Sequence, residues 1–233
     1  MHPSGRLFVV ATPIGNLSDL SGRAAESLRT ASLVAAEDTR RTRKLLTHLG
    51  LSKPLLRCDE AAEERATRTI LETLERGEDV ALATDAGTPS VADPGARLID
   101  AVHRSGGTVV PIPGPSAITT ALSVSGFRAS PFRFFGFLSK KETARRRELE
   151  QMAASEDTSA FFEAPYRLLR TMSELAEVAP ERMVFVAREL TKQHEELIRG
   201  TARDVAARLT GRKILGEATV VVGPSKIKEI EIE

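Results

Sequence analysis

Residues 82–95 read Leu-Ala-Thr-Asp-Ala-Gly-Thr-Pro-Ser-Val-Ala-Asp-Pro-Gly. An apolar run over 79–84 passes directly into a loop of acids, small residues, glycines and prolines. Nothing in that loop asks for burial as core. Small residues let a backbone approach a ligand closely, and proline fixes φ, so such a loop is stiff before anything binds. Two similar junctions flank it: Val-Val-Ala-Thr-Pro-Ile-Gly-Asn over 9–16 and Val-Val-Pro-Ile-Pro-Gly-Pro-Ser-Ala over 109–117. In open α/β sheets, ligands bind at the carboxyl ends of the strands. Three stiff loops at three strand ends predict one binding crevice in an α/β fold.

The rest of the pattern agrees. Short β-rich runs at 7–11, 32–36, 54–57, 80–84 and 108–112 alternate with helical patterns at 19–29, 39–49, 61–76, 96–104 and 116–123. This spacing predicts βαβ units and a mostly parallel sheet. Ser-Gly-Phe-Arg-Ala-Ser-Pro over 125–131 breaks the alternation and places a boundary between a first α/β domain, 1–125, and a second, 126–233. In the second domain, strands are expected at 132–138, 159–163, 183–187, 196–199 and 218–222. Helices are expected at 141–153, 166–178 and 202–209. The tail 226–233 alternates Ile with charge and reads as an edge strand or a frayed end.

Composition removes several classes of function. The net charge is +1, so any nucleic-acid contact must be a local patch. A single cysteine, Cys58, excludes an internal disulfide and a thiolate metal cluster and fits a reducing, cytoplasmic setting. The four histidines, at 2, 48, 103 and 194, lack ligand spacing, so no metal is expected. No apolar run approaches the ~20 residues of a membrane span, and no secretory leader is visible. Aromatic residues are only 4% and tryptophan is absent, so a base-stacking sheet of the RRM or OB kind is not expected. Neither GxGxxG nor a phosphate-binding P-loop follows the first strand.

Four further strings carry chemistry. In Ala-Ala-Glu-Asp-Thr-Arg-Arg-Thr-Arg-Lys, 35–44, a strand ends in Glu37 and Asp38 and a helix opens on arginines. Asp38 can cap that helix, but arginines in a first turn oppose the helix dipole. Arg40, Arg41 and Arg43 are therefore candidates for phosphate contacts, against the plainer reading of a solvated charge run. A second basic cluster, Lys140, Lys141, Arg145 and Arg146, opens the first helix after the boundary. It reads either as an RNA-following strip or as an exposed helix face. Phe-Phe-Glu-Ala-Pro-Tyr-Arg, 161–167, and Arg-Glu-Leu-Thr-Lys-Gln-His-Glu-Glu, 188–196, place acids and bases at strand ends of the second domain. Pro165 fits a helix N1 position, with Glu163 a satisfied strand-end acid.

Taken in order, the strings at 10–16, 35–46, 84–95, 113–117, 162–167 and 188–196 resemble the tetrapyrrole methylase superfamily, and within it the branch that methylates cytidine 2′-oxygens in 16S rRNA. The resemblance spans almost the whole chain. It implies a two-domain tetrapyrrole methylase fold with S-adenosylmethionine in the inter-domain cleft, and a homodimer acting on the small ribosomal subunit. It places the cofactor against Asp85, Ala86, Gly87, Thr88 and Val91, with Ser116 and Ala117 near the methionine and ribose. Phe162, Glu163, Ala164, Leu190 and Glu217 would wall the adenine. Relatives continue into a helical segment beyond the strand at 218–222, whereas this sequence ends at Glu233. For the reaction, Glu37, Asp38 and Asp85 are the acids expected to help the 2′-hydroxyl lose its proton, with Lys192 or Arg40 stabilising the alkoxide. Two rival expectations are methylation of a tetrapyrrole or other small molecule, and a non-enzymatic ribosome-binding factor of the same fold.

Overall fold

A computed structural model describes residues 5–225, which fall into two compact units dividing between Ser116 and Ala117. The expected strand at 226–233 lies outside the described residues.

The first unit is built from β1 (Arg6–Val10), α1 (Gly22–Thr30), β2 (Leu33–Ala36), α2 (Thr39–His48), β3 (Leu55–Arg57), α3 (Glu63–Glu75), β4 (Val80–Ala83), α4 (Ala96–Arg104) and β5 (Thr108–Ile112). Its sheet is parallel throughout, in the order β3-β2-β4-β1-β5. Period-two alternation divides the core into two layers. Phe8, Val10, Ala81 and Ala83 pack with α1 and α2 through Ala24, Leu28, Leu45 and Leu46. Leu7, Val80 and Leu82 pack on the other face with Ala66, Ile70 and Leu74 of α3 and Leu98 and Val102 of α4. The chain leaves β1 toward β2 through α1, and leaves β4 toward β5 through α4, on the opposite face. Right-handed crossovers in opposing directions require this arrangement. The switch point of the sheet therefore falls between the adjacent strands β1 and β4.

Caps set the helix starts. The Ser21 hydroxyl accepts from Ala24 N (3.1 Å) and starts α1. Such a cap is worth ~1 kcal/mol. Helix α4 has no cap of its own. Glu63, buried on α3, supplies one: its Oε1 accepts from Gly95 N (3.0 Å) and Leu98 N (3.4 Å). A carboxylate at a helix N-terminus also meets the positive end of the dipole. Gly95 cannot be replaced here, because its φ is +128° and a Cβ would lie 2.7 Å from Ser90 Oγ and 2.8 Å from Leu82 Cδ2.

Cys58 is buried beside the Glu63 end of α3. Burial first, and then the charges of Glu63 and Asp59, push its thiol up to about 11. Thiolate is the reactive form, so native protein at neutral pH should resist a thiol reagent and label only on unfolding. Rapid labelling of the native protein would contradict that burial.

The second unit contains α5 (Ala117–Ser125), β6 (Phe132–Phe137), α6 (Glu142–Ala154), β7 (Thr158–Glu163), α7 (Pro165–Val178), β8 (Met183–Arg188), β9 (Glu196–Thr201), α8 (Ala202–Leu209) and β10 (Ala218–Val222). The sheet order is β6-β7-β10-β8-β9, with only β6 and β7 parallel. Phe161, Val184, Val186 and Val220 pack against Leu149 and Met152 of α6, Leu168, Met172 and Leu175 of α7, and Val205 and Leu209 of α8. Helix α5, which the sequence pattern grouped with the first domain, packs on β7, β8 and β10 and so belongs to this unit. Its buried Ile118, Ala121 and Leu122 follow helical spacing, which says that one face is covered but not which sheet covers it.

Candidate active site

The loops singled out in the sequence converge at the carboxyl edge of the first sheet. The Thr12 N–H donates to Gly87 O (2.8 Å) and the Gly87 N–H donates back to Thr12 O (3.0 Å). This two-bond bridge joins the loops after β1 and β4 across the switch point. The Thr12 hydroxyl donates to Thr84 O (3.1 Å). From the other side, the Thr88 hydroxyl donates to Pro115 O (3.3 Å), tying in the loop after β5. Gly87 has φ +92°, and a Cβ there would face Ile14 Cγ2 at 3.6 Å and Pro115 O at 3.8 Å. The position is thus closely flanked by the loops after β1 and β5. In the same loop, Ser90 takes φ +67°, and its buried Oγ has no hydrogen-bond partner.

Carboxylates gather at this edge. The Thr84 hydroxyl donates to Glu37 Oε2 (3.1 Å), and Asp93 lies beside the same threonine. Burial raises the Asp93 carboxyl above its ordinary range, against the polar Thr84 nearby, and the charge of Asp85 adds to the rise. Asp85 is raised too. Burial is the main cause, opposed by the Asp38 N–H on its Oδ1 (3.1 Å), with repulsion from Glu37 and attraction from Arg41 following. Arg41 Nε lies 3.4 Å from Asp85 Oδ2.

Asp38 behaves differently. It caps α2 by accepting from Arg40 N (2.9 Å), and its two oxygens take the Arg40 guanidinium at 3.0 and 2.7 Å. Those bonds hold its carboxyl far below the ordinary range. This pairing gives Asp38 a structural duty at the start of α2, beside the acid role expected of it. The pairing also explains how arginines are tolerated in the first turn: the capping acid neutralises the first of them. Arg40, Arg41 and Arg43 all remain exposed.

Several residues in the second unit have structural duties that their sequence context concealed. Lys192 Nζ bridges Glu189 Oε1 (2.8 Å) and Glu217 Oε2 (3.0 Å), while Glu189 Oε1 also accepts from Glu217 N (2.9 Å). Burial works against the Lys192 charge, but the two carboxylates outweigh it and raise its pKa. Lys192 is thus a strut between two loops, a duty beside the catalytic role expected of it. Glu163 is buried and accepts from the Thr171 hydroxyl (2.6 Å), Arg167 Nη2 (3.2 Å) and Ala164 N (2.8 Å). Its carboxylate is satisfied within the unit. Arg145, 2% exposed, donates from Nε and Nη2 to Glu174 (2.7 and 2.6 Å) and reaches the Ser139 and Lys140 carbonyls with Nη1. No face of it is open to a phosphate, so it leaves the RNA-contact set. Arg146 pairs with Glu150 and Glu177 but stays half exposed. Lys140 and Lys141 are exposed and form no ion pair among the described residues.

Sequence reasoning missed Asp93 and Glu63. Asp93 stood in the quoted loop as an acid between small residues, a signal that could have been weighed with Asp85. Nothing local marks Glu63, whose partners are 32 and 35 residues away. Among the described residues no cluster of three or more potential ligands could hold a metal ion, and no helix is long and apolar enough to cross a membrane.

This site can be compared with known proteins. Residues 6–206 match the model of the tetrapyrrole (corrin/porphyrin) methylases. The chain is 42% identical over 229 residues to ribosomal RNA small subunit methyltransferase I of Bacillus subtilis, covering 98% of this chain and 78% of that protein. It is 44% identical over 218 residues to the protein of that name from Thermotoga maritima, covering 94% and 98%. The crystal structure of uroporphyrin-III C-methyltransferase from Thermus thermophilus, complexed with S-adenyl homocysteine, has the same fold, with a TM-score of 0.66 at 18% identity and coverage of 94% and 97%. The chain therefore belongs to the tetrapyrrole methylase family, as a methyltransferase that uses S-adenosylmethionine.

Proposed function

We propose that this protein methylates the ribose 2′-oxygen of a cytidine in small-subunit ribosomal RNA, working in the cytoplasm as a homodimer. The identity to small-subunit rRNA methyltransferases over nearly the whole chain supports the substrate class. The observation that carries the chemistry is the gathering of the Glu37, Asp85 and Asp93 carboxyls around Thr84 at the carboxyl ends of β2 and β4.

S-adenosylmethionine, when bound, supplies an electrophilic methyl group on a sulfonium. The residues fit such a group. The side-chain-free position at Gly87 leaves a cradle against the backbone, and the orphaned Ser90 Oγ needs a partner. Asp85, Ala86, Gly87, Thr88 and Val91, with Ser116 and Ala117, would hold its methionine and ribose part. Phe162, Ala164, Leu190 and Glu217 would border its adenine. A 2′-hydroxyl is a poor nucleophile and must shed a proton as it attacks. Asp93, raised by burial, is suited to accept that proton, and Thr84 orients the neighbouring Glu37. Arg40, Arg41, Arg43, Lys140 and Lys141, all exposed, would meet phosphates, which position RNA without reading its sequence.

Transfer of labelled methyl to small subunits lacking the modification, followed by nucleoside analysis, tests this reading. The expected product is 2′-O-methylcytidine, and a base-methylated nucleoside or a labelled tetrapyrrole would replace it. Gly87→Val tests the cofactor position. A branched side chain at φ +92° costs ~1–3 kcal/mol of stability and fills the cradle. S-adenosylmethionine affinity by calorimetry should fall by about tenfold or more, which corresponds to ~1.4 kcal/mol or more. A folded variant with unchanged affinity would move the cofactor elsewhere.

A further inference from the structure

The chain has nine phenylalanines, one tyrosine and no tryptophan, and most of these rings fall between residues 132 and 166. Phe135 and Phe161 pack into the core of the second unit. Successive strand residues face opposite sides, so Phe162 points away from that core. Its ring meets Phe134 edge-on with centroids 5.0 Å apart and Phe137 at 5.4 Å. Phe134 and Phe137 are three residues apart, and in a regular strand they would face opposite sides. A bulge between them shifts the register and brings Phe137 opposite Phe162. Bulges re-aim side chains in this way, and here the result is a phenylalanine left 62% exposed on the edge strand β6.

Tyr166, at the start of α7, is 79% exposed. The next residue, Arg167, donates from Nη2 to Leu138 O (2.9 Å) and Ser139 O (3.3 Å), tying the start of α7 to the residues that follow Phe137. Arg145 braces the same turn through the Ser139 and Lys140 carbonyls. Lys140 and Lys141 continue from it, exposed and without an ion pair among the described residues. Two buried or half-buried arginines thus fix the mount, while two exposed rings and two uncommitted ammonium groups face solvent.

We propose that Phe137 and Tyr166 form a stacking platform for an unpaired nucleobase, with Lys140 and Lys141 on the neighbouring phosphates; this rests on the RNA-methylating reading above. Every base offers a π-face, so stacking holds a nucleotide still without selecting its identity, and the flanking cations supply the salt-dependent part of the affinity. The positive charge beside the rings favours a polyanion over a second copy of the chain as their partner.

Two measurements decide it. In steady-state methyl transfer, Phe137→Leu and Tyr166→Leu should each raise KM for small subunits by about tenfold, the scale of one lost stacking contact, with KM for S-adenosylmethionine and Tm unchanged. Tyr166 is also the only source of tyrosine emission, in a chain without tryptophan. A short oligocytidylate should quench that emission, whereas inorganic polyphosphate and S-adenosylmethionine alone should not. Unchanged KM for subunits in both variants would overturn the platform, as would quenching by S-adenosylmethionine alone. Conversion of a dimer to monomers by either substitution would assign the surface to a second copy and overturn it too. If the unsubstituted chain transfers no methyl to RNA, the functional reading fails; the emission titration then decides the platform by itself.

Discussion

Asp93→Asn should lower kcat for RNA methylation by about a hundredfold or more, at the lower end of what a positioned proton acceptor contributes. It should leave S-adenosylmethionine affinity close to that of the unsubstituted protein. The pH profile separates a proton acceptor from a merely structural acid. A base works when ionised, so activity falls as pH drops through its pKa. Burial holds Asp93 above the ordinary carboxylate range, so this acidic limb should lie at higher pH than for an exposed aspartate. Asparagine cannot titrate, and the limb should flatten or move to the range of the remaining carboxyls. Those facing this cluster are Glu37, Asp38 and Asp85, with Arg40 and Arg41 opposite them. An Asp93→Asn enzyme with an unaltered limb would return the role to Asp85 or Glu37.

Arg145→Ala should lower the unfolding free energy by about 3–5 kcal/mol, because removing one partner of a buried ion pair strands the other. Glu174 would lose two charge-assisted hydrogen bonds and keep only Arg170 Nε at 2.9 Å. The Lys140 carbonyl would lose its Arg145 donor, while the Ser139 carbonyl would keep Arg167 Nη2 at 3.3 Å. Urea unfolding followed by circular dichroism measures the loss. Arg145→Met, which keeps the volume and removes the charge, should recover little while Glu174 remains. Joint replacement of Arg145 and Glu174 by apolar residues should recover most of it. A fully stable Arg145→Ala protein with weakened RNA binding would reverse the assignment and return Arg145 to the nucleic-acid surface.

Arg145 also shows where the sequence was legible and where it was not. Every strand and helix of both units lies close to its expected position, because apolar spacing at periods of two and 3.6 is a local property. The convergence of the loops was legible for the same reason: glycine, proline and small residues mark loops, and loops after parallel strands share one edge. The fate of a charged side chain depends on a partner far along the chain. Arg145 and Arg146 are adjacent in a basic run, yet one meets Glu174 in the interior and the other stays half exposed. Lys192 looked free because Glu217, one of its two partners, is 25 residues away. Asp38 was correctly expected to cap, and the same carboxylate also takes the Arg40 guanidinium, a pairing that local spacing does not show. The assignment of α5 failed for a further reason. Helical spacing shows that a helix has a buried face without naming the sheet that buries it.

The cap that α3 lends to α4 ties their motions together. The Gly95 and Leu98 amides are shielded by the Glu63 carboxylate, whose backbone belongs to another helix. Solvent exchange at those two amides can therefore proceed only when Glu63 withdraws or α4 itself opens. The first turn of α4 then shares a cooperative unit with α3, although the two helices are separated by β4 in sequence and differ in length. The exit of the loop at 84–95 inherits the stability of α3, a helix that contributes no other group to the site.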